Sequence, residues 1–159
     1  ATIIDVNGLQ PRQFEFHRDN CLMAVGTCKG DVVVVDWEEN KVVHRARHTY
    51  DSIMALSWLR RHPSMLLTSS SSGSPVLYQL DGSTMRISHR FREMKEINSV
   101  HCNSDDTLYV ASGQSTSIHI YDLNIGDLRC DMPNVHHSFI NVCRFANTMP
   151  SIMVSSSLD

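Results

Sequence analysis

The sequence is poor in the patterns that build reaction chemistry. Its five cysteines (Cys21, Cys28, Cys102, Cys130 and Cys143) are an odd number and contain no Cys-x-x-Cys pair. That argues against a disulfide framework and against a zinc knuckle. No Asn-x-Ser/Thr acceptor occurs, and with the cysteine usage this points to a reducing compartment, cytosol or nucleus. There is no Gly-x-Ser-x-Gly nucleophile elbow, and Gly26 to Gly30 lacks both the spacing and the following helix of a phosphate loop. No apolar run approaches the roughly 20 residues of a membrane helix. No basic-then-apolar start is visible, so no secretory leader is expected. Neither sign of charge dominates: 14 Lys and Arg stand against 17 Asp and Glu, a net of −3. Non-specific attraction to nucleic acid or anionic membrane is therefore not expected. The basic stretch of Arg86, His89, Arg90, Arg92 and Lys95 reads as a solvated turn.

What the chain has is a period. Val32 to Trp37, Pro75 to Leu80 and Ser117 to Leu123 echo one another, and Asp36, Gln79 and Asp122 recur every 43 residues. Phe16, Trp58, Cys102 and Phe145 close short apolar runs in a second register, and Gly26, Ser70, Ser112 and Ser156 form a third. A repeat of about 40–45 residues is the length of a propeller blade. Each unit reads as short strands joined by turns, with almost no sustained helical period. The serine run Ser69 to Ser74 falls at a strand end and its turn. The expected fold is all-β, with blades of four antiparallel strands forming an incomplete propeller. Residues 1–10 read as a tail or a strand left from a preceding blade. Residues 11–159 read as propeller repeats at about 11–47, 48–91, 92–135 and 136–159. The last unit stops after two strands, so the chain is expected to be a piece of a longer propeller.

At these residues the chain resembles the WD-repeat (WD40) β-propellers. The family's closing Trp-Asp pair stands here as Val35-Asp36, Tyr78-Gln79 and Tyr121-Asp122. Arg47-His48 and His136 lie near the family's histidine position, and Ser156 to Asp159 matches its turn with the Asp at Asp159. Asp31 lies near the corresponding turn of the first unit. The resemblance spans residues 11–159 and implies a structural hydrogen-bond network of a loop histidine, a strand hydroxyl and a turn aspartate. His136, Ser155 and Asp159, with His48, have the residue types for it, since buried polar groups persist only when paired. The same three types make a Ser/His/Asp triad, but without a nucleophile elbow the scaffold reading prevails.

Nine histidines invite a metal hypothesis. His136-His137, His101-Cys102 and Cys21…Cys28 come nearest to clusters, and none has a ligand spacing. No metal, cofactor or catalytic residue is expected. Glu38-Glu39 and Asp105-Asp106 lie in predicted turns, as solvated acids. The inner-strand positions Phe14, Ala55, Val100 and Val142 are apolar, against a propeller enzyme with polar channel walls. The expected function is a non-catalytic interaction scaffold assembling a multiprotein complex, its partners other proteins or peptides, with no small-molecule substrate. The alternative is a substrate receptor of a cullin-type ubiquitin ligase. Relatives that dock on such ligases carry Trp-Asp-x-Arg, whereas here Asp36-Trp37-Glu38 and Asp122-Leu123-Asn124 lack the arginine. The loops leading into each blade should share one rim. They carry Tyr50, Arg92 and Phe139, residue types enriched at interface hot spots. The competing expectation is that Tyr50 and Phe139 pack between blades.

Overall fold

The computed structural model describes residues 8–91 and 96–159, which hold fourteen strands and no helix. The first sheet orders β1 (Pro11–Phe16), β2 (Leu22–Thr27), β3 (Asp31–Asp36) and β4 (Lys41–Arg47) as consecutive antiparallel neighbours. The second repeats this with β5 (Ile53–Trp58), β6 (Met65–Ser70), β7 (Val76–Asp81) and β8 (Thr84–Arg90). The third contains β9 (Ile97–Cys102), β10 (Leu108–Gly113), β11 (Ile118–Asp122) and β12 (Leu128–Met132). A two-stranded sheet of β13 (Ile140–Phe145) and β14 (Met153–Ser157) follows. Strands β1, β5, β9 and β13 contact in sequence. The sheets are therefore blades arranged about a common axis, and they form an open propeller.

Why the middle strands are continuously apolar follows from this stacking. Successive side chains of a strand point to opposite faces, and each middle blade has a neighbour on both. Leu66, Val76 and Tyr78 of the second blade pack on Ala24, Val32 and Val34 of the first. The intervening Leu67 and Leu77 pack on Val100, Tyr109 and Tyr121 of the third. Val110 and Ile118 then face Ile140, Cys143 and Phe145. The outer strands β4, β8 and β12 are mostly exposed and carry the charges, which protects their unpaired edges. Face-to-face closeness demands glycine at Gly26, where an added Cβ would fall 2.4 Å from Ile53 Cγ2.

Local chemistry sets two of the strand ends. Pro11 opens β1, a sheet edge where its missing N–H costs no ladder bond. Asp127 belongs to the turn before β12, where its carbonyl accepts from the Asp122 N–H at 2.8 Å. The leftover strand expected in residues 1–10 falls mostly on residues 1–7, outside the described residues. Arg92 and Lys95 of the basic stretch also lie outside them, while Arg86 is engaged by Asp81 at 3.2 Å.

Candidate interaction surface

An antiparallel meander sends its turns alternately to two rims. One rim carries the blade-leading loops and the turns between second and third strands. There the loop before β5 is sewn to both blades it joins. His48 N donates to Gly30 O at 2.9 Å and Ser52 Oγ to Cys28 O at 3.2 Å, while Ser71 N donates to Ser52 O at 3.0 Å. Gly30 is required at this seam. Its φ is +82°, and an added Cβ would lie 2.2 Å from Thr49 O.

Two histidines sit under this rim. His48 Nε2 meets the Ser74 carbonyl at 3.2 Å, and Thr68 Oγ1 lies 2.9 Å from Nδ1. A carbonyl only accepts, so the proton is on Nε2 and the Thr68 hydroxyl donates to Nδ1. Burial lowers the His48 pKa to about 4, keeping it neutral. In the fourth blade, His136 Nε2 lies 2.9 Å from Ser155 Oγ and Nδ1 lies 3.1 Å from Asp159 Oδ1. Asp159 also accepts from His137 N at 2.6 Å. That backbone donor, followed by the His136 ring, lowers its pKa to about 2.

The structure thus brings His136, Ser155 and Asp159 together, and places His48 at the equivalent point of another blade. Sheet register shows where the pattern stops. Phe16, Trp58, Cys102 and Phe145 face Met23, Leu66, Tyr109 and Met153 across their hairpins. Two residues beyond those partners stand Val25, Thr68, Ala111 and Ser155. The hydroxyl is present where a described histidine meets it, and the other two blades put an apolar side chain there. In the first blade the buried Asp31 instead pairs with the forked guanidinium of Arg47 at 3.0 and 3.1 Å. His44 and His48 are four residues apart, a spacing that brings ligands together only on a helix. On an extended chain it spans about 13 Å. Among the described residues no three His, Cys, Asp or Glu side chains are placed to hold a metal ion.

Tyr50 is 85% exposed and Phe139 52% exposed, so neither is packed between the described blades. Tyr50 is held under the Arg47 guanidinium, 5.4 Å from the ring centroid, a geometry that stiffens an aromatic without covering it. Arg92, the third residue expected here, lies outside the described residues.

The opposite rim holds contacts that sequence reasoning missed. Asp106 was expected as a solvated turn acid, yet its side chain is fully buried. Its carboxylate accepts from Arg60 N (2.9 Å), Arg61 N (2.6 Å) and His62 N (3.0 Å) of the neighbouring blade, and from His62 Nδ1 at 3.2 Å. The neighbouring turn needs its free N–H groups satisfied, and this carboxylate does it. His17 is likewise a clasp: Nδ1 accepts from Asp19 N and Asn20 N, and Nε2 donates to Pro63 O at 2.9 Å. Its only sequence signal was its place in the first turn, equivalent to Asn103. The channel wall is also more polar than Phe14, Ala55, Val100 and Val142 suggested. Gln13, Glu15, Asn98 and Arg144 line it as well, because alternate residues of each inner strand face the axis. Cys102 and Cys143 are buried there as small apolar groups, and burial pushes their thiols up to about 12 and about 11.

Comparison with known proteins places these blades. The sequence model of the anaphase-promoting complex subunit 4 WD40 domain matches residues 3–61. Protein DWD HYPERSENSITIVE TO UV-B 1 of Arabidopsis thaliana is 36% identical over 158 residues, covering 92% of this chain. The chain spans 20% of the length of that curated relative. A chain of the mitotic checkpoint complex crystal structure superposes with a TM-score of 0.83 at 14% identity, over 96% of this chain and 46% of that one. The β-propeller domain of Myceliophteria thermophila Cps50 (Swd1) gives 0.79 at 14% identity, over 94% and 48%. At such identities the last two show the fold alone.

Proposed function

The chain consists of WD-repeat β-propeller blades, and on that premise we propose that it is a non-catalytic interaction platform for other proteins or peptides within a multiprotein complex. The observation that carries this reading is the rim of blade-leading loops, where Tyr50 and Phe139 stand exposed above the hydrogen-bonded rings of His48 and His136. Large aromatic groups on a rigid base are the usual hot spots of interfaces. The His136, Ser155 and Asp159 set is read as scaffold. Its counterpart around His48 uses a threonine and a backbone carbonyl in place of serine and carboxylate, and the threonine is fully buried, out of reach of a substrate. The test is a pull-down with Tyr50→Ala and Phe139→Ala, singly and together. Loss of partners with an unchanged melting temperature supports the reading, and retention of every partner refutes it.

A second reading, a substrate receptor of a cullin-type ubiquitin ligase, is favoured by one contact. Asp122 closes the third strand of its blade, caps Asn124 N and Ile125 N, and receives the Arg129 guanidinium at 2.7 Å. An arginine is absent from the Asp122-Leu123-Asn124 tripeptide, and the one that pairs with Asp122 comes from β12. Co-precipitation with the ligase adaptor that Arg129→Ala abolishes would support this reading. Its absence from the wild-type chain would remove it.

A further inference from the structure

The rim opposite Tyr50 and Phe139 contains a cavity of about 290 Å³ at the mouth of the channel, where all four blades contribute walls. Its floor is Trp58, whose indole N–H is already spent on Glu15 O at 3.1 Å. Around it stand Glu15, Ser57, Arg60, His101 and Asn147. Two of these, on largely buried residues, have donor protons without a strong acceptor. His101, 8% exposed, accepts the Phe145 N–H on Nδ1 at 3.1 Å. Its proton is therefore on Nε2, the ring edge bordering the cavity, and no partner meets it among the described residues. Ser57, 3% exposed, accepts from Cys102 N at 3.1 Å, and its hydroxyl proton meets only the Cys102 sulfur, a weak acceptor.

Charge around the cavity has the matching sign. The Arg60 guanidinium is braced by Asn147 through its backbone and side-chain oxygens, which leaves further N–H groups of its fork unspent. Arg18 stands at the same mouth. The one carboxylate in the wall, Glu15, is drawn towards Arg144 at 3.6 Å on the channel side. An imidazole and a guanidinium with N–H groups to spare, beside a serine hydroxyl held only by a weak sulfur acceptor, suit an acceptor-only anionic group, because a low-dielectric setting strengthens charge-assisted hydrogen bonds.

We propose that this channel-mouth cavity binds a carboxylate presented by a partner polypeptide, held by His101 Nε2–H, the Ser57 hydroxyl and the Arg60 guanidinium. The site lies on the other rim and does not rest on the assignment of Tyr50 and Phe139. Three probes test it on the full chain, followed by the ring ¹⁵N resonance of His101: acetyl-Gly-Gly-Asp-Gly-Gly-amide, its Asn counterpart, and acetyl-penta-glycine with a free C-terminus. The Asp probe, the free C-terminus or both should shift His101 saturably, and whichever does so identifies the source of the carboxylate; the Asn probe should not. Ser57→Ala and Arg60→Gln should each weaken binding about tenfold, the loss of one hydrogen bond to a charged group. Arg60→Gln keeps the backbone N–H that Asp106 holds, so it tests binding in a chain whose turn is intact. Equal binding of the Asn probe, no saturable shift by either acid, or unchanged binding in both variants would overturn the proposal.

Discussion

Replacing Asp106 with alanine should be among the most damaging single changes outside the apolar core. The side chain accepts three backbone N–H groups and one imidazole N–H from the adjacent blade. Hydrogen bonds to a charged group contribute about 1.5–3 kcal/mol each. Arg61 and His62 are exposed and regain water when the carboxylate is lost, while Arg60 is half-buried and regains less. Residue 106 also has a φ of +58°, which costs alanine about 1 kcal/mol more than Asp or Asn. The sum is about 3–5 kcal/mol, a large fraction of the 5–15 kcal/mol typical of a folded domain. Asp106→Asn keeps one acceptor oxygen and tolerates the backbone, so about 1–2 kcal/mol is expected. Urea unfolding gives the energies, and hydrogen exchange at the Arg60 and Arg61 amides locates them. A shift below about 1 kcal/mol for Asp106→Ala, with those amides still protected, would refute the clasp.

Acid should destabilise the fold between pH 6.5 and about 4. His48 and His101 are both held near 4 by burial, so the unfolded chain takes up their protons first. Each shift corresponds to about 3 kcal/mol as an order of magnitude, present above pH 6.5 and lost as pH falls. Glu15, raised by burial, acts in the opposite sense, and urea midpoints that stay flat across the window would contradict the neutral-histidine reading. His136→Ala should cost about 1–3 kcal/mol by stranding its partners; an unchanged denaturation midpoint would show that the network carries no stability. Gly26→Val should be worse than Gly26→Ala, because both must displace Ile53 and overpacking costs about 1–3 kcal/mol; equal midpoints for wild type and valine would contradict the close face-to-face packing.

The blades were legible because each strand keeps its own signature at a fixed interval: a closing Phe16, Trp58, Cys102 or Phe145, and an Asp36, Gln79 or Asp122 at or near the end of the third strand. His136, Ser155 and Asp159 were legible because one repeat contains all three. What crosses from blade to blade was not. Asp105 and Asp106 are adjacent acids in one turn, yet Asp105 bonds its own Thr107 while Asp106 is covered by the next blade's turn. Nothing within one repeat distinguishes them. The channel-mouth residues were missed for the same reason, since Ser57, His101 and Glu15 meet only once three blades stack. Exposure of Tyr50 and Phe139 was left open by sequence, because a loop aromatic can turn inward or outward with equal ease.

Site-specific photo-crosslinking compares the two rims directly. A photoreactive phenylalanine analogue is placed at Tyr50 or Phe139 on one rim, and at Trp37 in the turn before β4 on the other. In the assembled complex, protein adducts from positions 50 and 139, competed away by unlabelled wild-type chain, are the predicted result. Adducts from position 37 alone, or none from either rim while the complex still co-purifies, would contradict the assignment of the blade-leading loops as the interaction face.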